Sequence, residues 1–316
     1  MQLKEISVLG GSGFVGSAVV AKLDAAGYSV KVFTRRSEAA KHLILLPNVQ
    51  VVECDVLDYQ ALNTALRGTD AVVNLIGILH QSRRVSFNTM HHQLPAQLAK
   101  VCADLGIKRL VHMSSLGANK DAPSQYLRSK AAGEAALLAL QDKLNITIFK
   151  PSIIFGRGDS FINLFAKLIK LLPVVLLAKP NAKFQPVWVE DVATCFVSSL
   201  GNIDTYGQTY ELAGPKVYTF RELVQTVMDT LRIQRPIIGL NDRLSYAQAF
   251  MMELLPIKLM SRDNIRSMEV DSVSAQPFPA IFGVTPTAME VIIPEYLINQ
   301  TPRGAYDRFR SSAARK

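Results

Sequence analysis

Tyr126 and Lys130 stand four positions apart in Tyr126-Leu127-Arg128-Ser129-Lys130, so a helix there puts a phenol and an ammonium on one face. An ammonium so placed favours the phenolate and predicts a lowered Tyr126 pKa, which suits the phenol to exchange a proton with a carbonyl or an alcohol. Lys130 is also placed to hold a ribose. Just upstream, Ser114-Ser115 ends a predicted strand, and Ser115 offers a hydroxyl to position the substrate oxygen. Such a Tyr/Lys pair is common by chance, and it acquires meaning from the strand and serines before it.

A second constellation is made of glycine. Gly10-Gly11-Ser12-Gly13-Phe14-Val15-Gly16 joins a predicted strand at 6–9 to a predicted helix at 15–26. Gly10 suits a tight turn, Gly13 a close approach of backbone to a ligand, and Gly16 close packing of helix on strand. The N–H groups from Ser12 through Val15, with the positive end of the helix dipole, then face a pyrophosphate.

Which dinucleotide it belongs to is read one strand later. Thr34-Arg35-Arg36 stands where an acidic residue would hold the 2′-hydroxyl of NAD, and a guanidinium there pairs instead with a 2′-phosphate. NADP(H) is therefore favoured over NAD(H). Asp55-Val56 is placed to reach the adenine edge, and Gly77 to pass close beside the cofactor. His80, His91 and His92 have no carboxylate or cysteine to complete a ligand set, so no metal site is expected, and His92 is read as lining the crevice.

These groups need a scaffold that brings strand ends together. Strands are predicted near 6–9, 29–33, 49–52, 71–75, 109–113 and 146–149, with helices at 15–26, 39–45, 59–66, 93–105 and 126–141. That alternation predicts an α/β fold, a Rossmann-like doubly wound parallel sheet whose ligand crevice lies at the carboxyl ends of its strands. The expected nucleotide-binding domain spans 1–155 plus about 184–215. A smaller C-terminal substrate lobe takes about 156–183 and 216–316. The unit Gln185–Ala193 is expected to return to the main domain, with Asp191 capping its helix.

The chain has 316 residues, 49% apolar and 19% charged, which excludes a disordered or fibrous chain. Its longest apolar run is far too short to span a bilayer. The net charge of +9 suits anionic ligands, though no aromatic-interleaved basic stripe points to nucleic acid. Cys54, Cys102 and Cys195 are scattered, without a disulfide or zinc pattern. With no leader pattern at the start, a cytoplasmic protein is expected, and a place at the inner face of the membrane is the alternative.

The cradle, Asp55-Val56, Ser114-Ser115, Tyr126 with Lys130, and Lys150-Pro151-Ser152 together resemble an extended short-chain dehydrogenase/reductase. Tyr126–Glu134, Lys150–Arg157, Gln185–Val189 and Ser261-Arg262-Asp263 resemble its atypical branch, which contains the nucleotide-binding accessory subunit of respiratory complex I and bacterial relatives. The resemblance implies tight NADP(H) binding, brings Pro151 and Ser152 into the cofactor site, and supplies no demonstrated reaction. Leu116-Gly117 stands where sugar-nucleotide dehydratases carry an acidic pair, which disfavours sugar dehydration; an epimerase is the third choice.

Two functions remain. One is an oxidoreductase for a small or lipophilic carbonyl or alcohol, linked to quinone or respiratory-chain metabolism. The other is a non-catalytic NADPH-binding accessory or assembly protein. The apolar stripes at 161–172 and 244–255 are read first as core or lid helices. The alternative is a membrane-facing surface with Lys167, Lys170, Lys179 and Lys258 at its edge; the basic stretch 303–316 is either a solvated tail or a docking segment.

Overall fold

The computed structural model describes residues 3–82, 85–254 and 260–298. Six runs rich in β-branched residues form β1 (Glu5–Leu9), β2 (Ser29–Thr34), β3 (Val49–Glu53), β4 (Ala71–Asn74), β5 (Arg109–Met113) and β6 (Asn145–Pro151). A seventh strand, Thr209–Leu212, absent from the sequence-based expectation, pairs in parallel with β6. The sheet order is β3-β2-β1-β4-β5-β6 followed by Thr209–Leu212, and every pair is parallel. All four residues of β4 are buried, which is why Ala71-Val72-Val73 reads as a continuous apolar run rather than an alternating one before the polar Asn74.

The crossovers are α1 (Phe14–Ala25), α2 (Tyr59–Ala65), α3 (Leu94–Leu105) and α4 (Gln125–Leu138); α5 (Phe161–Leu171) and α6 (Val189–Leu200) follow. Val19, Val20 and Leu23 of α1 share a core with Val192 and Phe196 of α6. Leu62, Leu94, Leu98 and Leu137 build a second layer with Val72, Leu110 and Ile146 of the strands. Helices thus cover the sheet in two layers. The strand order turns back between β1 and β4, so their connections leave in opposite directions and open a crevice at the carboxyl ends.

Local details correct the sequence reading. The stretch expected as a helix at 39–45 is a 3-10 turn, Ser37–Leu43. The short strand Val187–Trp188 pairs with Ile154–Phe155 outside the main sheet, while α6 packs back onto it. Asp191 does not cap α6. It lies within the first turn, past the N-cap at Trp188, and accepts the Thr287 N–H at 2.7 Å and hydroxyl at 3.3 Å.

After α6 come α7 (Phe220–Leu231), α8 (Asp242–Glu253), α9 (Arg262–Ser267) and α10 (Met289–Leu297). Phe155, Phe165, Phe184, Phe220, Met228 and Ile293 form another core, built largely by α5, α7 and α10. The two apolar stripes part company here. Helix α5 buries Ile162, Phe165, Ala166 and Ile169, whereas α8 buries only Ser245 and Ala249 and leaves Leu244, Met251 and Leu254 53%, 63% and 67% exposed. Lys179 pairs with Asp242 at 2.9 Å. Leu255, Lys258 and the 303–316 stretch lie outside the described residues. Among the described residues no helix is long and apolar enough to cross a membrane.

Candidate active site

The turn after β1 is set by two glycines. Gly10 has φ +80°, a left-handed conformation, and its carbonyl accepts the Gly13 N–H at 3.1 Å. A Cβ on Gly16 would lie 2.1 Å from that same carbonyl, so only glycine lets α1 begin this close to the strand. Helix α1 opens with no side-chain cap and no acidic residue in its first turn, leaving its positive end uncompensated by its own side chains. Ser12 and Phe14 are half-buried, Gly13 is exposed, and Val15 is turned into the core. An uncapped helix start above a turn that a Cβ would fill fits a pyrophosphate.

At the adenosine end, Thr34 is buried and spends its hydroxyl locally, donating to the Arg36 carbonyl at 2.9 Å. Arg35 and Arg36 are exposed, and neither guanidinium has an ion pair among the described residues. Asp55 is exposed beyond β3, where Oδ1 accepts the Leu57 N–H at 3.1 Å, and Val56 is buried. The two arginines and Asp55 thus sit beyond the carboxyl ends of neighbouring strands.

At the opposite end of the crevice the chain after β4 passes over Lys130. A Cβ on Gly77 would sit 3.2 Å from Lys130 Nζ and 3.6 Å from His91 Nε2. Lys130 is 2% exposed and donates to the Met113 carbonyl at 3.0 Å. Burial lowers its pKa to about 8, with Glu134 pulling the other way. His91, held near 3 by burial and by the Lys130 charge, is neutral. Its Nε2 accepts the Ile78 N–H at 3.0 Å, so Nδ1 carries the proton and donates to Ser129 Oγ at 2.9 Å; that hydroxyl donates to the Tyr126 carbonyl at 2.7 Å.

Tyr126 lies edge-on to His91 and Phe87, with ring centroids 5.3 and 5.8 Å away. Its hydroxyl faces Ser115, whose own Oγ donates to the Leu116 carbonyl at 3.3 Å. The expected lowering of its pKa is overturned. Burial raises it, the neighbouring Ser115 hydroxyl offsets only part of the rise, and the Lys130 ammonium is engaged by the Met113 carbonyl. Behind Ser115, Ser114 donates to Glu134, whose other oxygen pairs with Lys150 at 3.2 Å. The cluster can hold a substrate oxygen between a serine and a tyrosine hydroxyl and keep a titratable ammonium close by.

Pro151 and Ser152, at the end of β6, are buried. Ser152 donates to the Ser272 carbonyl at 2.8 Å, so its hydroxyl ties down a distant loop. Sequence reasoning overlooked His91 in favour of His92, which instead bonds Asn88 at 3.0 Å. Spacing carried the signal: His91, in the π-helical turn Thr89–Gln93 that leads into α3, is three and seven residues before Leu94 and Leu98 of the buried face of α3. Glu134 and Asp263 stood in the motifs of the resemblance without a role of their own; Asp263 accepts the Gln125 and Tyr126 N–H groups at 2.7 and 3.0 Å.

The chain is 34% identical over 84% of its length to the mitochondrial NADH dehydrogenase (ubiquinone) 1 alpha subcomplex subunit 9 of Arabidopsis thaliana, and covers 70% of that protein. The subunits of the same name from Dictyostelium discoideum and Mus musculus are covered over 63% and 59% of their length, less than two thirds. A ceramide reductase of Caulobacter vibrioides is 28% identical over 61% of this chain and 60% of its own. Among solved structures, the dTDP-glucose 4,6-dehydratase DesIV of Streptomyces venezuelae, with NAD bound, superposes with a TM-score of 0.66. It is 23% identical and is covered over 85% of its chain and 76% of this one, a likeness of fold. Residues 6–213 match the NAD dependent epimerase/dehydratase family. A match across both the cradle and the Ser115, Tyr126 and Lys130 cluster establishes the class: the chain belongs to the NAD dependent epimerase/dehydratase family, the NAD(P)-binding extended short-chain dehydrogenases/reductases.

Proposed function

We propose that the chain is an NADP(H)-dependent oxidoreductase that interconverts a small or lipophilic carbonyl and its alcohol. The observation that carries the reading is the meeting of Ser115, the Tyr126 hydroxyl and the buried Lys130 ammonium where the chain leaves β4 and β5, with Lys130 bonded to the Met113 carbonyl and lying under Gly77. Tyr126 gives its proton to the substrate oxygen in reduction and takes it back in oxidation, while Ser115 orients that oxygen. Lys130 keeps a positive charge under the site and holds the ribose. When bound, the nicotinamide supplies or accepts the hydride that balances the proton. The exposed guanidinium groups of Arg35 and Arg36 support selection of the 2′-phosphate.

The substrate class is drawn from an apolar surface on the segments that follow β6. Leu176 and Ile238 stand opposite each other in a two-stranded sheet and are both half exposed. Gln248 of α8 donates to the Leu176 carbonyl at 3.2 Å, which brings the outward apolar face of α8 alongside. Leu172, Lys167 and Lys170 are exposed on the preceding segment. Apolar groups flanked by lysines suit the surface of an anionic bilayer, where a lipophilic carbonyl dissolves. Flotation with anionic vesicles at low salt is expected to carry the protein, and recovery only in the unbound fraction overturns the membrane part of the reading.

A second reading is favoured by the 34% identity to a respiratory-chain subunit: an NADPH-binding accessory protein that performs no turnover. The deciding experiment identifies the nucleotide released on denaturation and then compares wild type with Tyr126→Phe on a panel of quinones and lipophilic carbonyls. NADPH release with turnover abolished by Tyr126→Phe supports the enzyme. NADPH release with a silent wild type supports the accessory protein.

A further inference from the structure

Ser261-Arg262-Asp263 has no part in the cradle or in the proton-exchanging cluster, yet it reaches the first turn of α4. Asp263 Oδ1 accepts the Gln125 N–H at 2.7 Å, and Oδ2 accepts the Tyr126 N–H at 3.0 Å. Ser124, the N-cap, accepts the Leu127 N–H at 3.1 Å. The first N–H groups of a helix find no partner within it. Here three have one, and two of the three are served by a side chain more than a hundred residues further along. Bonds to an ionised carboxylate at a helix start are among the stronger neutral-to-charged hydrogen bonds, since the dipole adds to them.

What holds Asp263 is not the main sheet. Ser261 and Asn264 cap α9 reciprocally. Arg262 is tied to Glu253 of α8 through its N–H at 2.7 Å and its Nε at 2.9 Å, and its guanidinium lies 5.1 Å from the Phe250 ring. Ile265 packs with Ala178 and Ala249. The other cations nearby are engaged elsewhere: Arg128 with the Ala122 and Pro123 carbonyls, Arg266 with the Tyr246 hydroxyl. The two N–H groups are the carboxylate's hydrogen-bond partners, with the Arg266 charge acting on it from one turn along α9. Tyr126 is gripped at both sides of its backbone, its carbonyl by the Ser129 hydroxyl that His91 holds and its N–H by Asp263, and only the second grip comes from the α8–α9 unit.

We propose that Asp263 is a positioning residue for Tyr126. It pins the start of α4 so that the phenol stays against Ser115, which makes proton exchange depend on α8 and α9 being docked on the nucleotide-binding half. The catalytic consequence rests on the oxidoreductase reading given above, but the positioning itself is measurable without turnover.

The experiment uses the full chain loaded with NADPH, as wild type, Asp263→Asn, Asp263→Ala and a control, Thr219→Ala, which removes the cap of α7 far from Tyr126. Amide hydrogen exchange at residues 125 and 126 is followed together with ionisation of the Tyr126 phenol, taken as the ultraviolet titration that Tyr126→Phe lacks. Asp263→Asn and Asp263→Ala are expected to exchange the two amides at least tenfold faster and to shift the phenol titration down towards that of an ordinary tyrosine, because the loosened ring regains water and burial is what raises it. NADPH affinity is expected to stay within twofold, and Thr219→Ala to change neither readout. An unchanged phenol titration in both Asp263 variants overturns the proposal, even where exchange accelerates. Should neither variant fold, the wild type still decides: unprotected amides at 125 and 126 overturn it, and protected ones together with a downward phenol shift in Glu253→Gln, which loosens α9 from α8, uphold it. Failure of turnover on every carbonyl refutes the enzyme reading and leaves these outcomes readable.

Discussion

Each end of strand β5 meets a buried cation, Arg109 of the strand itself at its start and Lys130 of α4 at its end, and the two are treated differently. At its start, Arg109 donates to the Leu200, Ser199 and Asn145 carbonyls and to the Thr205 hydroxyl, with the Tyr206 ring 4.6 Å from its guanidinium. Those carbonyls include the C-terminus of α6, whose dipole offsets the charge. At its end, Lys130 has one carbonyl, that of Met113, and the more distant charge of Glu134. Burial brings Arg109 down to about 10, still fully charged at neutral pH, but Lys130 down to about 8, where a proton is easily lost. A cation saturated with acceptors is a brace; one left undersupplied is poised to respond. The amino end of the strand is built for stability and the carboxyl end for chemistry, as the location of crevices in doubly wound sheets requires.

Exchanging each cation for methionine tests that division most severely. Lys130→Met is expected to lower turnover by about 10² to 10⁴-fold, while stability at neutral pH holds or rises, because losing one bond of about 1 kcal/mol is offset by relief of the burial that depresses the ammonium. Arg109→Met strands several buried acceptors and is expected to cost on the order of 3 kcal/mol in denaturant unfolding, with NADPH affinity unchanged. Equal stability losses in the two variants would break the contrast.

Alkaline titration sharpens it. The unfolded chain keeps the Lys130 proton up to its ordinary value of 10.5, whereas the folded chain releases it near 8. Between those values the unfolded state binds more protons, so stability rises with pH through this window. That rise is expected to be missing from Lys130→Met, and turnover is expected to fall above about pH 8 as the ammonium is lost. Arg109 contributes nothing there, because its own window opens near 10.

The same contrast explains which parts were legible in the sequence. The inner strands β1, β4, β5 and β6 and the Gly10–Gly16 turn stand out because local steric rules govern them: apolar runs largely buried on both faces, and a glycine where a Cβ would strike Gly10. The Thr209–Leu212 strand escaped because Thr-Tyr-Glu-Leu alternates and leans on a single neighbour, β6. Spacing placed Tyr126 and Lys130 on one helix, but the sign of the Tyr126 shift depends on how much water burial removes and on which carbonyl takes the ammonium. Neither is written in a four-residue interval. Asp263 was visible only as part of a resemblance, since its bond to Tyr126 spans 137 positions of chain.

His91 gives the smallest expected effect and the finest test of the carboxyl end. Its ring must stay neutral, because a proton on Nε2 would set a donor against the Ile78 N–H it now accepts. Folded, it ionises near 3, and unfolded near 6.5. As pH falls below 6.5 the unfolded chain takes up a proton that the folded chain refuses, so stability declines with acid and the His91 contribution is gone near pH 3. Between pH 6 and pH 5 the loss amounts to roughly 1 kcal/mol. His91→Asn keeps an acceptor for the Ile78 N–H but has no proton to gain, and it is expected to flatten that slope while lowering stability modestly at neutral pH. A variant that keeps the wild-type acid slope would assign the slope to other groups. It would leave His91 as a spacer between the Gly77 loop and α4 rather than a ring whose neutrality holds them together.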